Sequence, residues 1–202
     1  FDLLTDEPKR YVPVITVVST IGLAGLVFCI IQWLGNLDVR YFIADEMRLR
    51  REKKTFVIAF YVLGGLMLSV GTSTLMVWVV STAGLEFLIP EIEYTNVIFE
   101  GPLVLLSVIA LAVIVPISEE LFFRSYLISN FRKLGPTLSV VVSSLVFALF
   151  HAGQLEIIVI LSTFVTGLIL GYVYSRFKSV MPCVLIHGSQ NMLVILVTAN
   201  LN

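Results

Sequence analysis

Six stretches of this chain run for about 15 to 25 residues with almost no charge, and that pattern sets the fold class before any motif is read. A helix needs about 20 mostly apolar residues to cross the hydrocarbon of a bilayer. By that measure spans are predicted at about Val12–Leu34, Phe56–Val80, Pro102–Phe123, Thr137–His151, Ile157–Tyr174 and Val180–Ala199. Hydrophobic residues make up 58% of the 202 and charged residues 13%, against roughly 45–50% and 25% in soluble domains. The expected fold is therefore all-α: a polytopic membrane helical bundle with about six transmembrane helices.

Loop charge orients the bundle. Arg40, Arg48, Arg50, Arg51, Lys53 and Lys54 lie between the first two spans, Arg124, Arg132 and Lys133 follow the third, and Arg176 and Lys178 follow the fifth. The intervening loop Ser81–Gly101 has no basic residue and carries Glu86, Glu91, Glu93 and Glu100. Of 13 Lys and Arg, only Lys9 and Arg10 oppose the pattern. Basic loops stay on the cytoplasmic side, which predicts that both ends of this chain are extracytoplasmic. The stretch Asp38–Lys54 has two readings. One is an amphipathic surface helix with Val39, Phe42, Ile43 and Met47 on one side, the other a solvated loop. Cys29 and Cys183 lie in apolar spans and suggest neither a disulfide framework nor a metal site.

Against this apolar background the ionisable groups stand out. The chain's two histidines, His151 and His187, and the pair Glu119-Glu120 all fall within or at the end of apolar runs. Ionisable groups at membrane depth cost roughly 2.5–3.5 kcal/mol each on insertion scales and mark function by default. Gly135-Pro136 reads as a helix stop and turn. The two glutamates precede it, and His151 follows it, by about 16 residues. At about 1.5 Å per residue, all three come level on antiparallel neighbours roughly 24 Å from the hairpin tip. Pro116 is expected to break the third span near the carboxylates and free carbonyls there.

Spacing within helices adds detail. Glu120 and Arg124, Phe147 and His151, and His187 and Asn191 are each four apart and share a helix face. Glu119 is turned about 100° from Glu120 and is free to point elsewhere. Glu119, His151, His187 and Asn191 are thus expected to line one polar cavity, open to the basic side past Arg124. Two imidazoles and a carboxylate can hold a metal, or the carboxylate can act as general base with the imidazoles as acid or oxyanion donors. Other intramembrane hydrolase designs fit poorly. There is no HExxH, all four Asp lie outside the spans, and Ser189 is only two residues from His187.

Read as EExxxR (Glu119–Arg124), FxxxH (Phe147–His151) and HxxxN (His187–Asn191), these segments resemble the CPBP family of intramembrane proteases, also called the Abi or CAAX-protease family. The resemblance spans about Pro102–Leu196 and looks bacterial. It implies a membrane endopeptidase acting on a peptide, a membrane protein or a lipidated protein, with the bilayer as its other partner and no nucleic acid. It implies 1–101 as an N-terminal transmembrane pair with a basic cytoplasmic loop and 102–202 as the catalytic core. Carried over by position, Glu119 and His151 would activate water, and His187 and Asn191 would stabilise the oxyanion. Glu120 and Arg124 would support them, with Phe147 shaping the site. A divalent metal such as zinc on Glu119, His151 and His187 is left open. Ser125 departs from the Gly often found after the Arg.

Plainer readings stand beside these. Glu119-Glu120 could snorkel to the interface, Asn191 could only join helices, and Gly167 with Gly171 form a GxxxG read as close packing. Two other functions compete with the protease: a non-proteolytic membrane scaffold or bacteriocin-immunity protein of the same fold, and a proton relay. A relay would string its groups across the bilayer, whereas these cluster at one depth.

Overall fold

A computed structural model describes residues 39–48, 55–89, 104–151 and 157–200, together with scattered helical positions between 22 and 33. The first predicted span, Val12–Leu34, lies largely outside the described residues. Within them the chain is helical, with no strand. A short helix α1 (Val39–Glu46) precedes α2 (Thr55–Thr82), α3 (Leu105–Leu134), α4 (Pro136–Phe150), α5 (Ile157–Phe177) and α6 (Met181–Asn200). By length and composition α2, α3 and α5 suffice to cross a membrane, and α4 and α6 are shorter apolar helices.

The solvent is written into α2. Phe56, Phe60, Leu63, Met67, Leu75 and Trp78 are exposed, and only Gly65 and Ser69 of its 28 residues are buried. A soluble protein rarely leaves so large an apolar face in water; here it faces lipid. Its hydroxyls do not stay unpaired there. Thr72, Thr74 and Thr82 donate to carbonyls one turn back on the same helix, as groups in hydrocarbon must find internal partners.

The third helix departs from expectation twice. Pro116 does not break it. A π-turn, Ala110–Ile114, runs into Val115–Glu120, which carries Pro116 in its first turn, and the helix continues through both. Nor does the helix stop at Phe123. A second wide turn, Leu121–Leu127, carries it through Arg124 to a 3-10 end at Phe131–Leu134. Ending the span just before Arg124 fails because Arg124 is buried rather than facing water. The predicted turn does fall at Gly135, whose φ of 89° suits glycine, and Pro136 opens α4.

Close approaches fix the remaining helices. A Cβ on Gly167 would come within 2.9 Å of Ser144 Cβ and 3.1 Å of its Cα, and one on Gly171 within 2.6 Å of Val140 Cγ1. The GxxxG thus packs α5 on α4. Cys183 is fully buried and donates its thiol to Leu170 O, while Cys29 is exposed; both are free. The basic loop does form a helix, but α1 docks on protein. Phe42, Ile43 and Met47 pack on the core, and Glu46 O accepts from Val180 N and Ser179 Oγ at 2.9 and 3.0 Å, in the α5–α6 turn.

Replacing Gly167 with Ala presses a methyl onto the Ser144 backbone, and overpacking of this kind costs about 1–3 kcal/mol. Gly64→Ala meets open space. Thermal unfolding in detergent is therefore expected to fall for Gly167→Ala and to hold or rise for Gly64→Ala.

Candidate active site

The site grows from two consecutive glutamates on α3. Glu120 is completely buried, and one of its oxygens, Oε2, lies 3.0 Å from Arg124 Nε, one turn on and equally buried. The contact is an ion pair at close range, but its angle is not that of a hydrogen bond, and Arg124 Nη1 and Nη2 also have no hydrogen-bond partner among the described residues. What the guanidinium does have is a ring: its carbon sits 4.4 Å from the centroid of Phe147 on α4, a cation–π arrangement strengthened where water is excluded.

The other oxygen of Glu120 reaches across to α6. Oε1 lies 3.0 Å from His187 Nδ1, so the ring donates its Nδ1 proton to the carboxylate. That bond fixes the orientation of the imidazole and turns Nε2 toward Glu119. The Nε2–Oε2 separation is 3.7 Å, and Glu119 Oε2 is buried with no hydrogen-bond partner among the described residues. The gap is too long for a direct hydrogen bond. The two carboxylates, expected to diverge, instead flank one imidazole.

His151 ends α4. Its Nδ1 lies 2.9 Å from Phe147 O, so it donates there and leaves Nε2 with the lone pair. The Phe147 ring meets His151 edge-on at 4.8 Å, His187 at 5.8 Å and Phe123 at 5.0 Å. One ring thus touches both imidazoles and the guanidinium. Glu119 lies within electrostatic reach of His151, His187, Glu120 and Arg124.

Asn191, one turn after His187, also faces α3. Its amide donates to Leu111 O at 2.9 Å. Between them Gly188 packs so tightly on the Ala112 carbonyl that a Cβ there would collide with the oxygen. Among the described residues no three His, Cys, Asp or Glu side chains are arranged as ligands of one ion, so Glu119, His151 and His187 do not fit a metal centre in this geometry. The expected water route past Arg124 also fails, because that side chain has no exposed surface. A separate apolar groove of about 510 Å³ opens along α6 beside Gly188, walled by Leu66, Val113, Leu185 and Met192.

Three further polar residues escaped the sequence reading. Ser69 on α2 bonds to Thr166 on α5 at 2.8 Å and to Gln190 on α6 at 2.9 Å. Ser69 and Thr166 are buried in an otherwise apolar interface, where such bonds join membrane helices. Gln190 lies inside the His187–Asn191 motif, and a glutamine in an apolar span was the available signal.

Comparison with known proteins agrees on the stretch that carries this site. A family model described as type II CAAX prenyl endopeptidase Rce1-like matches residues 101–193. The UPF0177 protein YxdF of Lactococcus lactis subsp. lactis (strain IL1403) is 27% identical over 134 residues, covering 66% of this chain and 73% of that protein. No solved structure gives a significant match.

Removing the charge of Glu120 leaves Arg124 buried beside a neutral amide. Breaking a buried pair in this way costs about 3–5 kcal/mol. Glu120→Gln should therefore lower the unfolding temperature sharply, measured by heat-induced aggregation of the purified protein, and by more than it lowers the specific activity of the folded fraction.

Proposed function

Because the chain belongs to the CPBP family of intramembrane proteases and its residues 101–193 match a CAAX prenyl endopeptidase model, we propose that it hydrolyses a peptide bond in a membrane-associated substrate, a peptide or a lipidated protein. The observation that carries the reading is the facing pair Glu119 Oε2 and His187 Nε2, 3.7 Å apart at membrane depth, with His187 held from behind by Glu120.

In this reading a water in that gap gives its proton to Glu119, and its oxygen attacks the carbonyl carbon. His151, with Nδ1 committed to Phe147 O, uses Nε2 to assist in taking that proton and passing it to the leaving amine. The tetrahedral oxyanion is met by His187 and by the second N–H of Asn191. Donation from His187 requires a proton on Nε2 as well as on Nδ1, a charge that the carboxylates on either side compensate. Glu120 and Arg124 act by holding His187. None of these steps is routed through a metal.

Residues 102–202 then form the catalytic core, and 1–101 supply a transmembrane pair with its basic loop in the cytoplasm. The loop charges support a cell-membrane location with both ends of this chain outside.

The test is Glu119→Gln, which keeps the shape and removes the base. A positioned general base contributes about 10²–10⁴-fold, so cleavage of a quenched fluorogenic peptide ending in a farnesylated CAAX sequence should fall by that factor in proteoliposomes, with unfolding unchanged. In parallel, membrane proteomics of cells carrying Glu119→Ala should show an uncleaved protein accumulating. A fully active, membrane-inserted Glu119→Gln protein would remove Glu119 from the reaction.

A further inference from the structure

Pro116 belongs to none of the motifs, yet the backbone around it leads to Asn191. In the π-turn the Val115 N–H is spent on Ala110 O, five residues back. The next carbonyl, Leu111 O, would be served by residue 116 in this register or by residue 115 in a plain α-helix. Residue 116 is a proline without an N–H, and the N–H of residue 115 is already used. Leu111 O therefore has no donor in its own helix, and it is the atom that accepts the Asn191 amide at 2.9 Å. Gly188, without a Cβ, lets the α6 backbone settle on the adjacent Ala112 carbonyl.

A carboxamide is planar and carries two N–H groups. When one is fixed on Leu111 O, the direction of the other is fixed too. We propose that Pro116 is a positioning residue. By withholding an N–H it leaves the Leu111 carbonyl free to orient Asn191, whose second N–H then meets the oxyanion formed next to His187. The inference rests on the protease reading and adds to it a residue that acts through the backbone.

The experiment is a double-mutant cycle on the full chain in proteoliposomes. Pro116→Ala gives Leu111 O a backbone donor by either register and frees the Asn191 amide. On the farnesylated fluorogenic peptide, Asn191→Ala should lower kcat by about 10²–10³-fold, the usual cost of one oxyanion donor. Misplacing a group by about 1 Å costs up to about 100-fold, so Pro116→Ala should lower kcat by about 10- to 100-fold with KM within about twofold. The double variant should be no slower than Asn191→Ala alone, since coupled residues are not additive. Wild-type kcat in Pro116→Ala, or losses that multiply in the double variant, would overturn the proposal.

Thermal unfolding gives a readout without substrate. Asn191→Ala should lower the unfolding temperature in the parent, where it orphans a carbonyl, and leave it unchanged in Pro116→Ala. Equal losses in both backgrounds would refute the coupling. Failure of the parent to cleave the peptide would count against the protease reading on this substrate class, while the unfolding cycle would still decide the link between Pro116 and Asn191.

Discussion

Glu120 and Arg124 are two opposite charges with no exposed surface, one turn apart on a helix that crosses the hydrocarbon. Neither is stable there alone, and each must meet compensating partners to offset its desolvation. Much of the surrounding architecture follows from that requirement. The helix widens from Leu121 to Leu127, Phe147 lays its ring against the guanidinium, and His187 takes the second carboxylate oxygen. The orientation of His187 toward Glu119 is thus a by-product of neutralising a buried charge.

Backbone polarity makes the complementary contribution. Non-α turns in a membrane helix leave carbonyls that lipid cannot satisfy, and in α3 other helices supply the donors. Asn191 reaches Leu111 O from α6, and Ser143 reaches Phe123 O from α4. Each irregular turn thereby becomes an attachment point, so the segment that carries the glutamates is held from both sides.

Much of this was legible in the sequence. Apolar run length and the alternation of loop charge gave the helical bundle, Gly135-Pro136 gave the hairpin, and the rarity of ionisable residues in the spans picked out Glu119, Glu120, His151 and His187. Where the reading failed, it had treated residues one at a time. Arg124 was taken as a hydrated end because a charge ordinarily ends a span, and its burial depends in part on the Phe147 ring from another helix. Pro116 was expected to break the helix and free carbonyls; a π-turn carries the helix past it, and the carbonyl of Leu111 is met by Asn191 from another helix. That Glu120 reaches His187 could not be read from a 100° rotation on one helix, because long side chains from adjacent positions can converge on a ring from another. Ser69 and Thr166 are common residues in apolar helices, and nothing in their spacing announces a bond across 97 positions.

The contact of Gly188 with the Ala112 carbonyl also sets a height. Two helices meshed backbone to backbone cannot slide along each other without collision, so His187 is locked to the level of the glutamates along the bundle axis. Bilayers of different thickness would raise or lower the whole assembly and leave that spacing untouched. The level at which the imidazole meets the carboxylates is thus gauged from the protein's own helices and not from the lipid.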